Sequence, residues 1–286
     1  MSDGPLSSIR IIEVCHVLAG PFSGMILGDL GADVIKVEPP GGDMARNITK
    51  QFTGPYNDYF ASLNRNKRSV ILDLNTDAGK AQLGELARDS HGLISNLRPA
   101  AIRRFGLTYQ DMKPYNEKLV CVALTGFGLD GPYSEKPAYD YIVQALTGVM
   151  SLTGDPGGTP TKAGYSAVDN STGMMGTIGL LAKIIEGKGG QVDVSLFDTM
   201  LAQLNYLASG YLNHGIAPQR MANSAHPYMV PAQVFESSDG FVMLFVSTDK
   251  FWQRFCKVVD WPEHADNPLF ATMEARAQNR EVVIAA

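Results

Sequence analysis

Short apolar runs rich in β-branched residues alternate with longer amphipathic segments along most of the chain. Runs of this kind are typical of buried parallel strands, and the segments between them have the apolar spacing of helices. The pattern predicts strands at residues 9–14, 32–38, 69–73, 92–96, 119–124 and 191–194. It predicts helices at residues 20–31, 77–88, 139–150, 170–186 and 195–213. Such alternation predicts a Rossmann-like, doubly wound α/β domain with right-handed crossovers.

The composition changes after residue 214. Residues 215–231 are rich in Pro, Asn, Ser, His and Met with little periodicity, which predicts a linker or a binding loop. Two apolar runs then flank Asp239-Gly240 and predict a hairpin, which is followed by helices at 248–259 and 272–286. We expect a large domain at 1–214, a linker at 215–231 and the start of a smaller α+β domain at 232–286. The last helical pattern has no C-cap glycine, and we expect a carboxy-terminal part to be missing.

The composition narrows the class of function. With 286 residues, a net charge of −5 and a pI near 5.5, the chain gives no reason to expect nucleic acid or an anionic membrane as partner. It has neither a secretory leader pattern nor an apolar run approaching the roughly 18 residues of a membrane helix. Cys15, Cys121 and Cys256 form no C-x-x-C pair, and the histidines form no ligand-spaced cluster. These features favour a cytoplasmic protein without disulfides or a metal site.

The segment from Ala138 to Gly173 holds the strongest candidate for chemistry. Its last part is Asp169-Asn-Ser-Thr-Gly173, which places a carboxylate at a predicted loop-to-helix junction near glycines that let a ligand approach the backbone. An aspartate there is also a common helix N-cap, worth about 1 kcal/mol, and the two roles are compatible. With a reference pKa of about 3.9, the carboxylate is expected to be ionised at neutral pH and able to attack a carbonyl without a general base.

The chain resembles the core of the class III CoA-transferases, the family of the formyl-CoA and carnitine CoA-transferases, over essentially its whole length. The resemblance rests on a frame of spaced residues: Tyr139-Asp140, Gln144-Ala145, Gly148, Thr153-Gly154, Asp169 and Thr172-Gly173. It implies that Asp169 is the nucleophile, which carries CoA as an aspartyl thioester between an acyl-CoA and a small carboxylic acid. It also implies an interlocked homodimer, CoA as a substrate, and no metal or other cofactor.

Two alternatives to CoA transfer stay open. The 2-methylacyl-CoA racemases of the same superfamily move an α-proton with a histidine, which precedes an aspartate where this chain has Tyr139-Asp140. A phenol with a pKa of about 10 is a poor proton shuttle at neutral pH, so this difference favours transfer. The chain could also be an inactive CoA-binding fragment. For transfer, developing oxyanions need N–H donors, which local glycines and the N-terminus of the helix after Asp169 are expected to supply.

CoA carries a 3′-phosphate and a pyrophosphate, so an acidic protein needs a local basic patch to bind it. Strand ends and the family pattern together suggest the CoA contacts His16, Val17, Lys67, Arg68, Asn96, Leu97, Arg98, Arg104, Lys136, Tyr139 and Asp140. Pro39 stands where relatives often carry an arginine at the nucleotide, and Pro137 stands where the formyl-CoA enzymes have lysine. Leu18 replaces a glutamine of those enzymes, which, with the lack of a glycine run, argues against oxalate and formate as substrates.

One glycine motif needs a separate interpretation. Gly126-Phe-Gly-Leu-Asp-Gly131 follows a predicted strand and has the spacing of a dinucleotide-binding loop. Residues 132–137 begin and end with proline and do not predict a helix, so no helix N-terminus would face a pyrophosphate. We expect this segment to shape the CoA cleft beside Lys136 and not to bind NAD.

Overall fold

The computed structural model describes residues 4–286, which form two compact units. The first unit comprises the described residues up to Thr147 together with Ala163–Ala208, and the second comprises Gly148–Lys162 and Ser209–Ala286. Residues 148–162 and 209–214, which lie in the segment predicted as the large domain, group with the second unit. No helix in residues 4–286 is long and apolar enough to cross a membrane.

The first unit is built around a parallel sheet of six strands. The strands of the chain are β1 (Arg10–Val14), β2 (Asp33–Glu38), β3 (Phe52–Thr53), β4 (Tyr56–Asn57), β5 (Lys67–Ile71), β6 (Gly92–Ser95), β7 (Val120–Thr125), β8 (Gly190–Ser195), β9 (Ala232–Ser237) and β10 (Gly240–Phe245). The six-stranded sheet has the order β5-β2-β1-β6-β7-β8, which is 3-2-1-4-5-6 when only its own strands are counted. This is the order of doubly wound nucleotide-binding folds, so the predicted fold class is confirmed.

Helices cover both faces of this sheet. The helices of the chain are α1 (Ala19–Asp29), α2 (Asp58–Asn64), α3 (Asp77–Arg88), α4 (Pro99–Phe105), α5 (Tyr109–Met112), α6 (Asp140–Leu146), α7 (Val149–Leu152), α8 (Ala167–Glu186), α9 (Leu196–Gln203), α10 (Asn205–His214), α11 (Asp249–Val258), α12 (Pro262–Ala265), α13 (Met273–Gln278) and α14 (Arg280–Ala285). Short 3₁₀ turns lie at Met44–Asn47 and Ala222–Ser224.

Neighbouring residues of β1 explain why the central strands carry apolar residues on both faces of the sheet. Ile11 and Ile12 point to opposite faces of the sheet, and both are fully buried. Ile11 packs in the cluster that contains Leu27 of α1, whereas Ile12 packs with Leu83 of α3. Because helices cover both faces, alternation of apolar and polar residues is lost in the central strands.

Two of the predicted helices are interrupted where a residue has a positive φ. The predicted helix at 77–88 is observed with the same bounds, and Thr76 caps it by accepting from the Gly79 N–H at 3.0 Å. The predicted helix at 139–150 ends at Leu146, and Gly148 follows with φ 82°. The predicted helix at 195–213 is divided into α9 and α10, because Asn205 has φ 29°. A local pattern of apolar residues does not report such breaks.

The second unit has its own core and a two-stranded ribbon. Strands β9 and β10 pair antiparallel through a loop at residues 238–239, so the predicted hairpin is confirmed with its turn one residue earlier. The core contains Trp252, Cys256, Phe270 and Val283. Fully buried Arg276 donates to the backbone carbonyl oxygens of Val230 at 2.9 Å and Phe270 at 2.7 Å, and thereby joins segments that are distant in sequence.

Candidate active site

The candidate site lies where the strand order of the sheet reverses, between the carboxyl ends of β1 and β6. Loops that leave adjacent parallel strands in opposite directions open a crevice at such a point, and this is where doubly wound folds bind ligands. The Asn96 side chain joins the two loops. Its Oδ1 accepts from the His16 N–H at 2.9 Å, and its Nδ2 donates to the His16 carbonyl oxygen at 2.8 Å. The two predicted residues therefore form one wall of the crevice.

The loop after β1 is held in an unusual conformation. Val17 has φ 63°, which is uncommon for a β-branched residue and must be imposed by its surroundings. Its N–H faces Asp43 Oδ1 at 3.4 Å, and the same carboxylate pairs with Lys36 Nζ at 2.8 Å. Burial alone would lower the pKa of Lys36, but the charges of Glu13 and Asp43 outweigh it and raise that pKa. A buried ion network of Asp43, Lys36 and Glu13 therefore holds the loop after β1 in this conformation.

Asp169 lies in the first turn of α8, which is twenty residues long. Ser166 is the N-cap residue, so the helix begins before Asp169, and Asp169 is not the N-cap that its sequence context also allowed. The Asp169 carboxylate lines a cavity of about 120 Å³ together with His16, Asn96, Arg98, Thr125, Ser134, Lys136 and Tyr139. Among the described residues that line this cavity, Asp169 is the only acidic one. The cavity therefore presents one carboxylate to anything that enters it.

Burial changes the acidity of this carboxylate. Burial, together with the negative charge of Asp140, raises the pKa of Asp169 from its ordinary value of 3.8 to about 7. The sequence predicted full ionisation at neutral pH. In the structure the carboxyl group instead retains its proton to higher pH, because its anion is poorly solvated there. Perturbed acids of this kind are concentrated at functional sites.

A buried carboxylate on another helix caps α8. Asp140, the first residue of α6, is 5% exposed, and its Oδ2 accepts from the N–H groups of Val168 at 2.8 Å and of Asp169 at 3.3 Å. Its Oδ1 accepts from Gln144 Nε2 at 2.5 Å, and Gln144 Oε1 accepts from the Ala163 N–H at 2.8 Å. Asp140 was predicted as a CoA contact, but its carboxylate is engaged within the protein.

The same contacts correct the prediction of the oxyanion donors. The N–H groups of Val168 and Asp169 bind Asp140, while those of Ala167 and Asn170 bind the carbonyl oxygens of Tyr165 and Ser166. The N–H groups at the start of a helix are the ones that it leaves without intrahelical partners. The N–H groups from Ala167 to Asn170 are therefore all engaged within the protein. Helix α1, which begins at Ala19 in the cavity wall, directs the positive end of its dipole toward the cavity instead.

A second cavity of about 290 Å³ adjoins the first, and His16 and Leu97 line both. Its wall is largely apolar and contains Val37, Leu72, Leu74 and Phe105. Arg104 is exposed on α4, and its guanidinium lies 4.5 Å from the ring centroid of Phe105. The two cavities together offer a polar site with a carboxylate and a neighbouring, largely apolar site, and the Arg104 guanidinium contacts Phe105 in the wall of the second.

Two predicted CoA contacts lie away from both cavities. Lys67 is at the amino-terminal end of β5, and its side chain is 2% exposed. Lys67 Nζ lies 2.7 Å from Glu13 Oε2 and donates to the Pro21 carbonyl oxygen at 2.8 Å. Arg68 is exposed and pairs with Asp33 at 2.7 Å. The crevice lies at the carboxyl ends of the strands, so the structure does not bring Lys67 and Arg68 to it.

Apart from Arg104 and Asp140, the other predicted CoA contacts line the first cavity, where they differ in burial and charge. His16 is half-buried, and burial lowers its pKa, so its imidazole is uncharged at neutral pH. Arg98 and Lys136 are exposed at the cavity, and Lys136 Nζ lies 3.7 Å from the ring centroid of Tyr133. Tyr139 is 67% exposed. These residues are close to Asp169 and accessible to a ligand, with Arg98 and Lys136 supplying positive charge.

The glycine motif at 126–131 lies in a loop, and no helix follows it directly, in agreement with its interpretation as something other than a dinucleotide site. Arg103 of α4 holds this loop: it pairs with Glu135 at 2.9 Å and donates to the Leu129 carbonyl oxygen. The segment carries Ser134 and Lys136 to the cavity. It therefore shapes the site, as the sequence predicted.

Sequence reasoning missed three residues that act on the site. Asp43 supports Val17, and Gln144 holds the Asp140 carboxylate. Tyr59 of α2 lies within electrostatic range of Asp169: burial, and then the charge of Asp169, raise the pKa of Tyr59 to about 12. Gln144 is marked in the sequence only as part of the family frame, and nothing in the local sequence marks Asp43 or Tyr59. No group of three or more His, Cys, Asp or Glu residues in the described chain could hold a metal ion.

Comparison with known proteins assigns the chain to a family. The model of the CoA-transferase family III matches residues 6–286. The succinate–glutarate CoA-transferase of Agrobacterium fabrum is 39% identical over 96% of this chain and 72% of its own length. The acetyl-CoA:oxalate CoA-transferase of Acetobacter aceti is 37% identical over 99% of this chain and 74% of its own length. The crystal structure of a CAIB/BAIF family protein from Brucella suis has a TM-score of 0.84 at 35% identity, over 99% of this chain and 77% of that one.

The chain therefore belongs to the CoA-transferase family III. The named relatives are transferases, and the resemblance found in the sequence is confirmed. The chain spans about three quarters of the length of these relatives.

Proposed function

We propose that this protein transfers CoA from an acyl-CoA to a carboxylic acid, with Asp169 as the covalent carrier. One observation carries the proposal: Asp169 is the single acidic side chain among the described residues of a cavity that lies at the carboxyl edge of the parallel sheet. A carboxylate in that place can receive an acyl group or CoA from a ligand bound in the crevice.

The proposed steps balance without a metal, ATP or a redox partner. The Asp169 carboxylate attacks the thioester carbonyl, a mixed anhydride forms, and CoA leaves as its thiolate. The thiolate attacks the aspartyl carbonyl, so that an aspartyl-CoA thioester forms and the donor acid leaves as a carboxylate. An acceptor carboxylate then repeats these steps in reverse and restores Asp169. One thioester replaces another, so little free energy is needed from outside.

The raised pKa of Asp169 fits this role. A carboxylate that the protein solvates poorly is a stronger base and nucleophile than one in water, provided that it is ionised. Because the pKa of Asp169 is about 7, the ionised fraction of its carboxyl group increases steeply as the pH rises through that value. Activity that depends on this anion should rise over the same interval.

We propose that CoA occupies both cavities. The thioester end would lie in the cavity of Asp169, and the adenine would lie in the apolar cavity between Leu72, Leu74 and Phe105. Arg98 and Arg104, which lie near the two cavities, are the candidate partners of the CoA phosphates. His16, Val17, Asn96 and Leu97 would contact the pantetheine between them.

The substrate acids are proposed to be small dicarboxylates. The relatives are named for succinate, glutarate and oxalate. In this chain, Arg98 and Lys136 line the cavity of Asp169, where either cation could bind a carboxylate remote from the reacting one. Leu18 argued against oxalate, but the relative named for oxalate keeps oxalate among the acids to be tested.

A homodimer is proposed as the working assembly. Adjacent helices α6 and α8 expose large apolar side chains, which a monomer would leave in contact with water: Tyr141, Ile142, Leu146, Met174, Met175 and Ile178. An exposed apolar face of this extent is typical of a protein–protein interface.

A cytoplasmic location stays a prediction.

The experiment compares wild type with Asp169→Asn and with Asp198→Asn, a matched control in the first turn of α9. Each protein is incubated with succinyl-CoA and glutarate, and the acyl-CoA products are separated. We expect Asp169→Asn to lose transfer by at least about a thousandfold, because a covalent carrier is removed. Intact-protein mass spectrometry should detect a CoA adduct, and hydroxylamine should trap a hydroxamate, in wild type and the control alone. An Asp169→Asn variant that keeps more than a few per cent of the activity would refute the role of Asp169.

A further inference from the structure

The helix that carries the candidate nucleophile is capped from outside. Ser166, the N-cap residue of α8, makes no side-chain capping hydrogen bond. Asp140 of α6 supplies the cap in its place, because a single carboxylate oxygen accepts from the N–H groups of Val168 and Asp169. A charged acceptor at a helix N-terminus stabilises the first turn and holds its backbone in place. Because Asp169 is in that turn, its position depends on Asp140.

Asp140 is itself held from both sides. Gln144 is one turn further along α6 and fully buried, and its amide binds Asp140 Oδ1 at 2.5 Å. The other end of the Gln144 amide binds the Ala163 N–H at 2.8 Å, at the segment that leads into α8. Asp140, Gln144 and the first turn of α8 therefore form one hydrogen-bonded chain. In such a chain, one broken link leaves a buried polar group without a partner.

The arrangement places the Asp140 carboxylate next to the backbone of Asp169. The other titratable groups that face Asp169 are Tyr59 from α2 and, around the cavity, His16, Arg98, Lys136 and Tyr139. Of these, Arg98 and Lys136 are exposed, whereas Asp140 is buried and lies at the backbone of Asp169 itself. The nearby buried charge of Asp140 thus disfavours ionisation of the Asp169 carboxyl group.

We propose that Asp140, clamped by Gln144, is a positioning residue for Asp169: it fixes the first turn of α8 and withholds the N–H groups of that turn from the Asp169 carboxylate and from substrate. The inference rests on the proposed function of Asp169. If the N–H groups of Val168 and Asp169 were free, they would solvate the anion or an oxyanion formed on it. With those N–H groups occupied, the carboxylate remains poorly solvated, basic and fixed in orientation toward the cavity.

The test uses variants that separate charge from position. Asp140→Asn removes the charge and replaces one of the two accepting oxygens by an NH2 donor, so it also breaks one link of the hydrogen-bonded chain. Gln144→Met breaks a link of the same chain and keeps the charge. Thr147→Val is the matched control, because Thr147 is buried in the same helix end and its hydroxyl donates to Val143 within α6, at 2.8 Å. For each protein, kcat and KM for succinyl-CoA are measured across the acidic, neutral and alkaline range.

A positioning role predicts a specific pattern of kinetics. Asp140→Asn should lower kcat by about tenfold or more with KM changed by less than about threefold, because a small displacement of a reacting group is costly while binding persists. The acidic limb of the pH–rate profile of Asp140→Asn should move to lower pH by about half a unit or more, because the negative charge of Asp140 no longer opposes ionisation of Asp169. Gln144→Met should lower kcat without moving the limb to lower pH, and Thr147→Val should change neither.

Two further measurements do not need transfer activity, so they distinguish failure of this inference from failure of the proposed function. Hydrogen exchange at the Val168 and Asp169 amides should be at least about tenfold faster in Asp140→Ala than in wild type and unchanged in Thr147→Val. The titration of Asp169, read by infrared difference against Asp169→Asn, should move to lower pH in Asp140→Asn. Unchanged exchange together with an unchanged titration would overturn the inference, as would equal effects in Thr147→Val.

Discussion

Replacing Asp169 by asparagine should stabilise the protein, and the gain should depend on pH. The folded protein raises the pKa of this carboxyl from 3.8 to about 7, through burial first and the charge of Asp140 second. That rise of about three pH units corresponds to about 4 kcal/mol at about 1.36 kcal/mol per unit, taken as an upper limit because the carboxyl is only half-buried. Asparagine has the same shape and carries no charge, so it removes this unfavourable contribution.

The sign of the pH dependence follows from proton binding. Between about pH 4 and pH 7 the folded state retains a proton on Asp169 that the unfolded state has lost. Stability therefore falls as the pH rises through this interval, and the loss is complete above the folded pKa. At about pH 4 the variant and wild type should differ little in the free energy of unfolding, whereas at about pH 8 to 9 the variant should be more stable by up to about 4 kcal/mol.

Urea unfolding of both proteins at closely spaced pH values measures this difference. Asp77→Asn, which changes an exposed carboxylate in the first turn of α3, controls for the charge change itself. The midpoint of the difference curve reports the pKa of Asp169 in the folded protein. A gain that stays constant over the whole pH range, or a variant that is less stable than wild type in the alkaline range, would refute the account of Asp169 as a poorly solvated acid.

Three further changes test other parts of the structure. Asn96→Ala should raise KM for acyl-CoA several-fold with a small loss of stability, because both hydrogen bonds to the His16 backbone disappear. Steady-state kinetics and calorimetric binding measure this effect, and an unchanged KM would contradict the prediction. Leu93→Ala should cost about 2–5 kcal/mol in urea unfolding, because Leu93 is fully buried in the core of the sheet, and a cost below about 1 kcal/mol would show that the core is placed wrongly. Arg276→Met should lower the melting temperature of the second unit in calorimetry, because it leaves two buried carbonyl oxygens without a donor. CoA affinity should not change, because Arg276 lies outside the described cavities, and a lower affinity would contradict this.

The strand pattern of the sequence was a good guide to the sheet and a weaker one at its edge. The predicted strands at 92–96 and 119–124 are observed within one residue, because these central strands are buried on both faces. The edge strand was predicted at 69–73 and observed at Lys67–Ile71. It has one neighbour and exposed residues, so its polar beginning carries no apolar signal. The predicted and the observed bounds both put Lys67 and Arg68 at the amino-terminal end of this strand, opposite the ligand-binding edge of the sheet.

The alternation of strands and helices could be read from the sequence, as could the family frame and the candidate carboxylate, because these depend on residue types and on spacing along the chain. The tertiary structure alone decided what surrounds that carboxylate. Asp140 and Val168 are 28 residues apart, and His16 and Asn96 are 80 apart, and no local pattern reports that such residues share hydrogen bonds. Burial and a neighbouring charge set the pKa of Asp169, and a buried ion network withdraws Lys67 from solvent. Acidity, accessibility and orientation depend on the environment of a side chain, which exists only once the distant segments have packed together.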